Sequence, residues 1–237
     1  MKIQTTLAIA ASAALLMGAT GASAANLISN SDFATGALGP WTVTGSVGDG
    51  QNTVVINLQS GAAYPGGAFN EIIPNDPNAP NSDFGLYLVS DQPIHAGATQ
   101  TFNVATAGTY TVSFDYYVPR NGLANPDDAH LFASVNSSGI ASIDADVAGN
   151  DNGSWRTVTA TETLAQGLNS FNFGFTVPGN VNSDGVKTAD NFAADFVVSN
   201  VSVAGVPEPT TWAIMLVGFG GLGVAMRGSR RKQAATA

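Results

Sequence analysis

The 237-residue sequence contains no cysteine and only two histidines. The absence of cysteine excludes a disulfide framework, a thiolate metal site and a cysteine nucleophile. The G-x-S-x-G and H-E-x-x-H motifs of hydrolases and metalloproteases are missing as well. Charged residues make up only 11% of the chain. Asn, Ser, Thr and Gly take their place, which is typical of strands joined by turns.

Basic residues are scarce in the middle of the chain. Residues 25–206 hold 16 acidic residues but only 3 basic ones (Arg120, Arg156 and Lys187), a net charge of about −13. Such a surface repels nucleic acid and anionic lipid, so we expect no nucleic-acid partner. It suits cations and neutral sugars.

The N-terminus has the three parts of a secretory signal peptide. Lys2 is the positive start, Leu7–Met17 is a short apolar run, and Ala22-Ser23-Ala24 is a small-x-small cleavage site. Residues 1–24 are therefore predicted to be a signal helix that signal peptidase removes between Ala24 and Ala25.

The C-terminus has a proline-rich motif, a short apolar run and a basic end. The run Trp212–Met226 contains 15 uncharged residues, and arginines follow it. This order resembles the PEP-CTERM sorting domain in its PEPxxWA form. The residues that carry the resemblance are Pro207, Glu208, Pro209, Trp212, Ala213, Arg230 and Arg231.

The PEP-CTERM resemblance implies a Gram-negative host and processing by an exosortase near the Pro-Glu-Pro motif. The chain would pass transiently through the inner membrane and reach the cell surface or extracellular matrix. Proteins with this tail often accompany exopolysaccharide and biofilm production. We divide the chain into a signal peptide (1–24), a central domain (25–205), a sorting signal with a short transmembrane helix (206–232) and a tail (233–237).

The central domain is predicted to be all-β. Residues alternate between apolar and polar in segments such as Thr109–Val118 and Ser170–Val177, and clusters of Gly, Pro, Asn and Asp separate the segments. The other predicted strands are Thr53–Leu58, Leu131–Val135, Trp155–Thr163 and Phe192–Val203. Many short strands with turn signals predict an antiparallel β-sandwich, here a jelly roll flanked by the signal helix and a C-terminal hydrophobic helix.

Two segments resemble galactose-binding-like, carbohydrate-binding jelly rolls. Asn26–Phe33 followed by Gly39-Pro40-Trp41 is similar to their opening strand, and Phe196–Val203 is similar to the closing strand beside it. The resemblance implies a structural ion near Asp32, where the two terminal strands meet.

Calcium is the expected ligand if any metal binds, because hard cations prefer oxygen donors. Asp144 and Asp146 mark one oxygen-rich loop, and Asp184 and Asp190 mark another. The alternative is that these loops are ordinary solvated turns.

Sugar binding needs aromatic platforms beside polar groups, and Trp41, Tyr117 and Trp155 are the candidates. We expect a non-catalytic protein with a structural or adhesive role in an exopolysaccharide layer. A carbohydrate-binding module with a specific sugar site is the first alternative. A glycan hydrolase is the second, although Glu71 and Glu162 are the domain's only glutamates.

Overall fold

The structure is a computed structural model that describes residues 24–45, 51–63, 65–68, 70–90, 94–119, 130–145, 153–177, 180–181, 187–188, 194–206 and 218–222. Asn26–Gly205 form one compact unit. Ala24 and Ala25 are described and lie outside any strand, whereas Ala22 and the sorting-motif residues from 207 to 213, with Arg230 and Arg231, lie outside the described residues.

The two flanking helices are not confirmed. The signal segment up to residue 23 lies outside the described residues, and beyond residue 206 only residues 218–222 are described, as a short helical piece. In the described part of the chain, no helix is long and apolar enough to cross a membrane.

Strands account for nearly all regular structure in the compact unit. Their bounds are β1 Thr42–Gly45, β2 Gln51–Asn57, β3 Phe84–Ser90, β4 Ile94–Val104, β5 Gly108–Tyr117, β6 His130–Val135, β7 Ser138–Asp144, β8 Arg156–Leu164, β9 Gly167–Val177, β10 Asn180–Val181, β11 Lys187–Thr188 and β12 Ala194–Gly205.

These strands form two five-stranded antiparallel sheets and a small β10–β11 ribbon. The front sheet has the order β1-β4-β9-β6-β7, and the back sheet has the order β2-β3-β12-β5-β8. The antiparallel β-sandwich predicted from the sequence is thereby confirmed. The opening segment pairs with the C-terminal half of β12 in the back sheet. Leu27 N donates to Val203 O at 2.9 Å, and Val201 N donates to Ser31 O at 2.8 Å.

The main core lies between the sheets and follows from the period-two alternation of their strands. Phe171, Phe173 and Phe175 of β9 point inward from the front sheet, and Phe114 of β5 meets them from the back sheet. The Phe114 and Phe173 rings pack edge to face, with centroids 5.1 Å apart. Each such side chain contributes roughly 1.5–3 kcal/mol by leaving water, so this row fixes which strand face is inside.

A second, smaller core covers the outer side of the back sheet. The segment between β2 and β3 folds over this side and brings Leu58 and Ile73 against Tyr87, Tyr117 and Val197. Ile73 N donates to Leu58 O at 2.9 Å, which closes the segment on itself. The back sheet is therefore buried on both faces at this end.

Candidate functional site

Trp41, a predicted sugar platform, is a core residue. Its side chain is only 4% exposed. The ring packs against Phe33, Phe171 and Phe173, with centroid separations of 5.7, 6.1 and 5.8 Å. No ring face is left for a ligand, so the structure corrects the role that the sequence suggested for Trp41.

Tyr117 and Trp155 lie together on the outer side of the back sheet, under the covering segment. Their ring centroids are 5.6 Å apart. Tyr117 is only 4% exposed, and its hydroxyl donates to Glu71 Oε1 at 3.0 Å. Trp155 is half-buried, and its indole Nε1 donates to Pro74 O at 2.6 Å. Burial of Tyr117 removes it as a stacking platform, whereas Trp155 keeps part of its surface.

The predicted metal ligands are not brought together in the described part of the chain. Asp32 Oδ1 accepts a hydrogen bond from Ala34 N at 3.2 Å, which is an ordinary turn. Asp144 is the last residue of β7 and lies beside His130. Asp146, Asp184 and Asp190 lie outside the described residues. Among the described residues, no three or more His, Cys, Asp or Glu side chains form a metal-sized group.

The outer side of the front sheet carries a different set of side chains, on residues that alternate with the buried ones. Strand register aligns them in three rows across β4, β9, β6 and β7, and Thr44 and Thr42 of β1 continue the second and third rows. We call these three rows the front face; they contain His95, Thr176, His130 and Asp144 in the first, Gly97, Gly174, Phe132 and Ser142 in the second, and Thr99, Asn172 and Ser134 in the third.

Phe132 is the aromatic residue of the front face. It is 40% exposed although it lies in mid-strand. Its neighbours in the row are Gly174 and, one strand further, Gly97. A Cβ added to Gly174 would lie 3.7 Å from the Phe132 Cβ, so the missing side chain leaves the space beside Phe132 open.

Gly97 is required for the sheet itself. A Cβ added there would lie 2.0 Å from the Phe173 carbonyl oxygen, far inside contact distance. The close approach of β4 to β9 thus depends on glycine at this position. Gly97 is itself buried, so the open space next to Phe132 lies over Gly174 of the neighbouring strand.

Polar groups border Phe132 on both sides. The His130 ring is stacked beside it at a centroid distance of 6.3 Å and an interplanar angle of 26°. His130 Nδ1 lies 2.5 Å from Asp144 Oδ1, and these side chains are 32% and 44% exposed. On the other side, the Thr99 hydroxyl is hydrogen-bonded to the Asn172 carboxamide oxygen. Hydrogen-bonding groups therefore lie in the rows on either side of the one that holds the exposed aromatic ring.

This arrangement matches what a sugar ring requires, namely an apolar platform with nearby hydrogen-bonding groups. The fold and the front face together define an antiparallel β-sandwich with an open aromatic and polar sheet surface. The sequence signal that could have found it is the phase of β6, where Phe132 alternates with the buried Leu131 and Ala133.

Residues 205–232 match the PEP-CTERM protein-sorting motif. The sequence resemblance at the C-terminus is thereby confirmed, and the motif marks the chain for export to the cell surface or the extracellular space. No curated protein matches the sequence significantly.

Three solved structures illustrate the likeness of the fold. TmCBM61 in complex with beta-1,4-galactotriose is 13% identical with a TM-score of 0.49, covering 77% of this chain and 99% of that chain. The enzymatically active domain of bacteriophage CBA120 tailspike protein 4 is 13% identical with a TM-score of 0.48, covering 76% and 21%. The CBM22-1–CBM22-2 tandem domain of Paenibacillus barcinonensis Xyn10C is 17% identical with a TM-score of 0.44, covering 77% and 50%.

Proposed function

We propose that the exported domain binds a neutral extracellular polysaccharide on its front face and retains it at the cell surface without cleaving it. The observation that carries the proposal is the exposed ring of Phe132, whose neighbour on β9 is Gly174 and whose neighbour on β7 is Ser142. An exposed aromatic ring with hydrogen-bonding groups in the neighbouring rows is the kind of surface on which a sugar ring can stack. The sorting motif supports an extracellular partner.

The charge of the domain favours a neutral glycan over an acidic one. Residues 25–206 carry a net charge of about −13, which repels polyanions at ordinary ionic strength. Asp144 is the only acidic residue in the five strands of the front sheet, and it is paired with His130. Hydroxyl groups of a neutral sugar can bond to such groups without having to place two like charges together.

Binding without cleavage follows from the same inventory of carboxylates. Glycoside hydrolysis in most families needs two carboxyl groups roughly 5–10 Å apart across the scissile bond. The front sheet supplies only Asp144 in its strands. Of the two glutamates of the domain, Glu71 accepts from Tyr117 on the outer side of the back sheet, and Glu162 of β8 accepts from Ser138 at the start of β7 at 3.5 Å.

The proposal is tested by native gel electrophoresis of the full-length chain, in mild detergent, through gels containing neutral or acidic polysaccharides. We expect at least one neutral polysaccharide to retard the protein, and Phe132→Ala to weaken that binding by about 10-fold or more, as for a central aromatic anchor. Ile72→Ala is the matched control, because Ile72 is exposed but lies on the segment over the back sheet.

Three outcomes would contradict the proposal. One is that no neutral polysaccharide retards the wild-type protein, the second is that only acidic polysaccharides do so, and the third is that Phe132→Ala binds as tightly as Ile72→Ala. Release of reducing sugar from a retarding polysaccharide would contradict the absence of cleavage.

A further inference from the structure

The longest edge strand of the two five-stranded sheets is β8, at the end of the back sheet. It has nine residues, whereas the other edge strands β1, β2 and β7 have four, seven and seven. All of β8 pairs with β5 without a register shift. In the described part of the chain, residues 157–164 make no backbone hydrogen bond to any other strand or segment. The outward amides and carbonyls of this edge are therefore open to pairing with another strand.

The sequence of β8 favours such pairing. The strand contains no proline, glycine or lysine and has no bulge, which are features that commonly protect a sheet edge. Its threonines are exposed on the outer side of the back sheet, at Thr157, Thr159, Thr161 and Thr163. Branched side chains favour strands, and threonine pairs across two strands stabilise them.

The two charged residues of β8 have opposite signs. Arg156 and Glu162 lie an even number of residues apart, so both point to the inner side of the sheet. Arg156 is hydrogen-bonded to Tyr116, and Glu162 accepts from Ser138. An inward-pointing charge hinders the pairing of an edge strand unless the incoming strand supplies the opposite charge. A second β8 strand can supply it.

An antiparallel pair of β8 strands with Thr159 on the two-fold axis matches both charges. Arg156 of each copy then lies directly opposite Glu162 of the other copy. On the outer side, threonines face threonines, and on the inner side Val158 faces Ala160. A shift by one residue would set threonines opposite inner residues and turn one sandwich over relative to the other.

We propose that two copies of this chain associate through β8 in this register, so that their back sheets become one continuous sheet. The contact is isologous, because each copy contributes the same strand. Residues 25–206 of each copy carry a net charge of about −13, and this repulsion opposes the association. The expected dimer is therefore weak and reversible, and a covalent trap is the appropriate way to detect it.

The register keeps both front sheets on the same side of the joined sheet. A dimer thus presents two front faces to one polysaccharide chain, which raises the effective affinity above that of a single face. This gain in affinity rests on the proposed function, whereas the dimer itself does not. Disulfide trapping measures the dimer alone, so failure of one proposal is distinguishable from failure of the other.

The dimer is tested by disulfide trapping of the full-length chain in mild detergent, since the chain has no cysteine of its own. Thr159→Cys places two cysteines directly opposite each other, with a Cα separation of about 4.5–5.5 Å that a disulfide accepts. Thr163→Cys is the matched control on the same face of the same strand, and its two cysteines would lie about 27 Å apart. We expect mild oxidation to convert Thr159→Cys to a covalent dimer on non-reducing gels and to leave Thr163→Cys monomeric.

Charge reversal tests the register independently. In the Thr159→Cys chain, Glu162→Arg sets arginine opposite arginine at both ends of the pair, and we expect disulfide formation to slow by about 10-fold. Adding Arg156→Glu restores opposite charges and is expected to return the rate to within about 2-fold of the starting value. If the double variant does not fold, as judged by circular dichroism, Glu162→Gln replaces it; this change removes the ion pair without repulsion and is expected to slow trapping by less than Glu162→Arg.

Three results would overturn the proposal. The first is that Thr159→Cys forms no covalent dimer, and the second is that Thr163→Cys forms one equally fast. The third is that Glu162→Arg leaves the rate of trapping unchanged.

Discussion

Gly97 and Gly174 are partners across β4 and β9, and their replacement by alanine tests the geometry of the front face. In Gly97→Ala, the new Cβ would be placed 2.0 Å from the Phe173 carbonyl oxygen and 3.2 Å from the Gly174 Cα. These neighbours are backbone atoms of a central strand, so relief requires β4 and β9 to separate by more than 1 Å locally. Overpacking of this kind costs about 3 kcal/mol or more.

Gly174→Ala is the matched comparison, because its Cβ would meet the Phe132 Cβ at an ordinary 3.7 Å. We expect its stability to change by less than about 1 kcal/mol, since alanine also restricts the unfolded chain. Urea unfolding followed by far-UV circular dichroism measures both variants. A Gly97→Ala protein as stable as Gly174→Ala would refute the close β4–β9 pairing at Gly97.

Three further predictions concern other parts of the chain. Trp41→Ala should lower the unfolding free energy by about 3–5 kcal/mol because the ring is buried among three phenylalanines, and its chemical-denaturation midpoint checks this. Burial raises the pKa of Asp76 to about 6, so the folded chain holds this proton more tightly than the unfolded chain. The free energy of unfolding should therefore fall by about 3 kcal/mol as the pH rises from about 4 to about 6. Asp76→Asn should lose this pH dependence in unfolding titrations. Finally, if an exosortase cuts near Pro207–Pro209, intact mass spectrometry of the mature protein from a native host should show no Met226 or following arginines, and Glu208→Ala should retain them.

The strand pattern could be predicted from the sequence where polar and apolar residues alternate. Ser170–Val177 alternates clearly because β9 is buried on one face, and Thr109–Val118 also alternates in its first half, although the end of β5 is buried on both faces. The strand β3 was not predicted. The second core covers its outer side, so its residues are buried on both faces and show no alternation.

The strand β4 was missed for a different reason. Small residues at Ala96, Gly97 and Ala98 blur its apolar pattern, and the reason for the glycine, a close approach to β9, is a tertiary contact that sequence does not display.

The candidate site was less accessible to sequence reasoning than the fold. Residue type predicts tryptophan and tyrosine side chains as sugar platforms, but it does not tell which of these rings the fold buries. Trp41 fills the gap between the sheets, and Tyr117 lies under the segment between β2 and β3. Phe132 became a candidate only when strand register placed it beside Gly174 on an open face.

The central claim is that the front face, not the Tyr117–Trp155 cluster, binds the glycan. Its most direct test is calorimetric titration of one retarding neutral polysaccharide into Phe132→Ala and Trp155→Ala side by side. The account predicts that Phe132→Ala loses affinity by about 10-fold or more, while Trp155→Ala binds within about 2-fold of the wild-type protein. The reverse result, with binding lost in Trp155→Ala and kept in Phe132→Ala, would place the glycan on the back sheet and contradict the account.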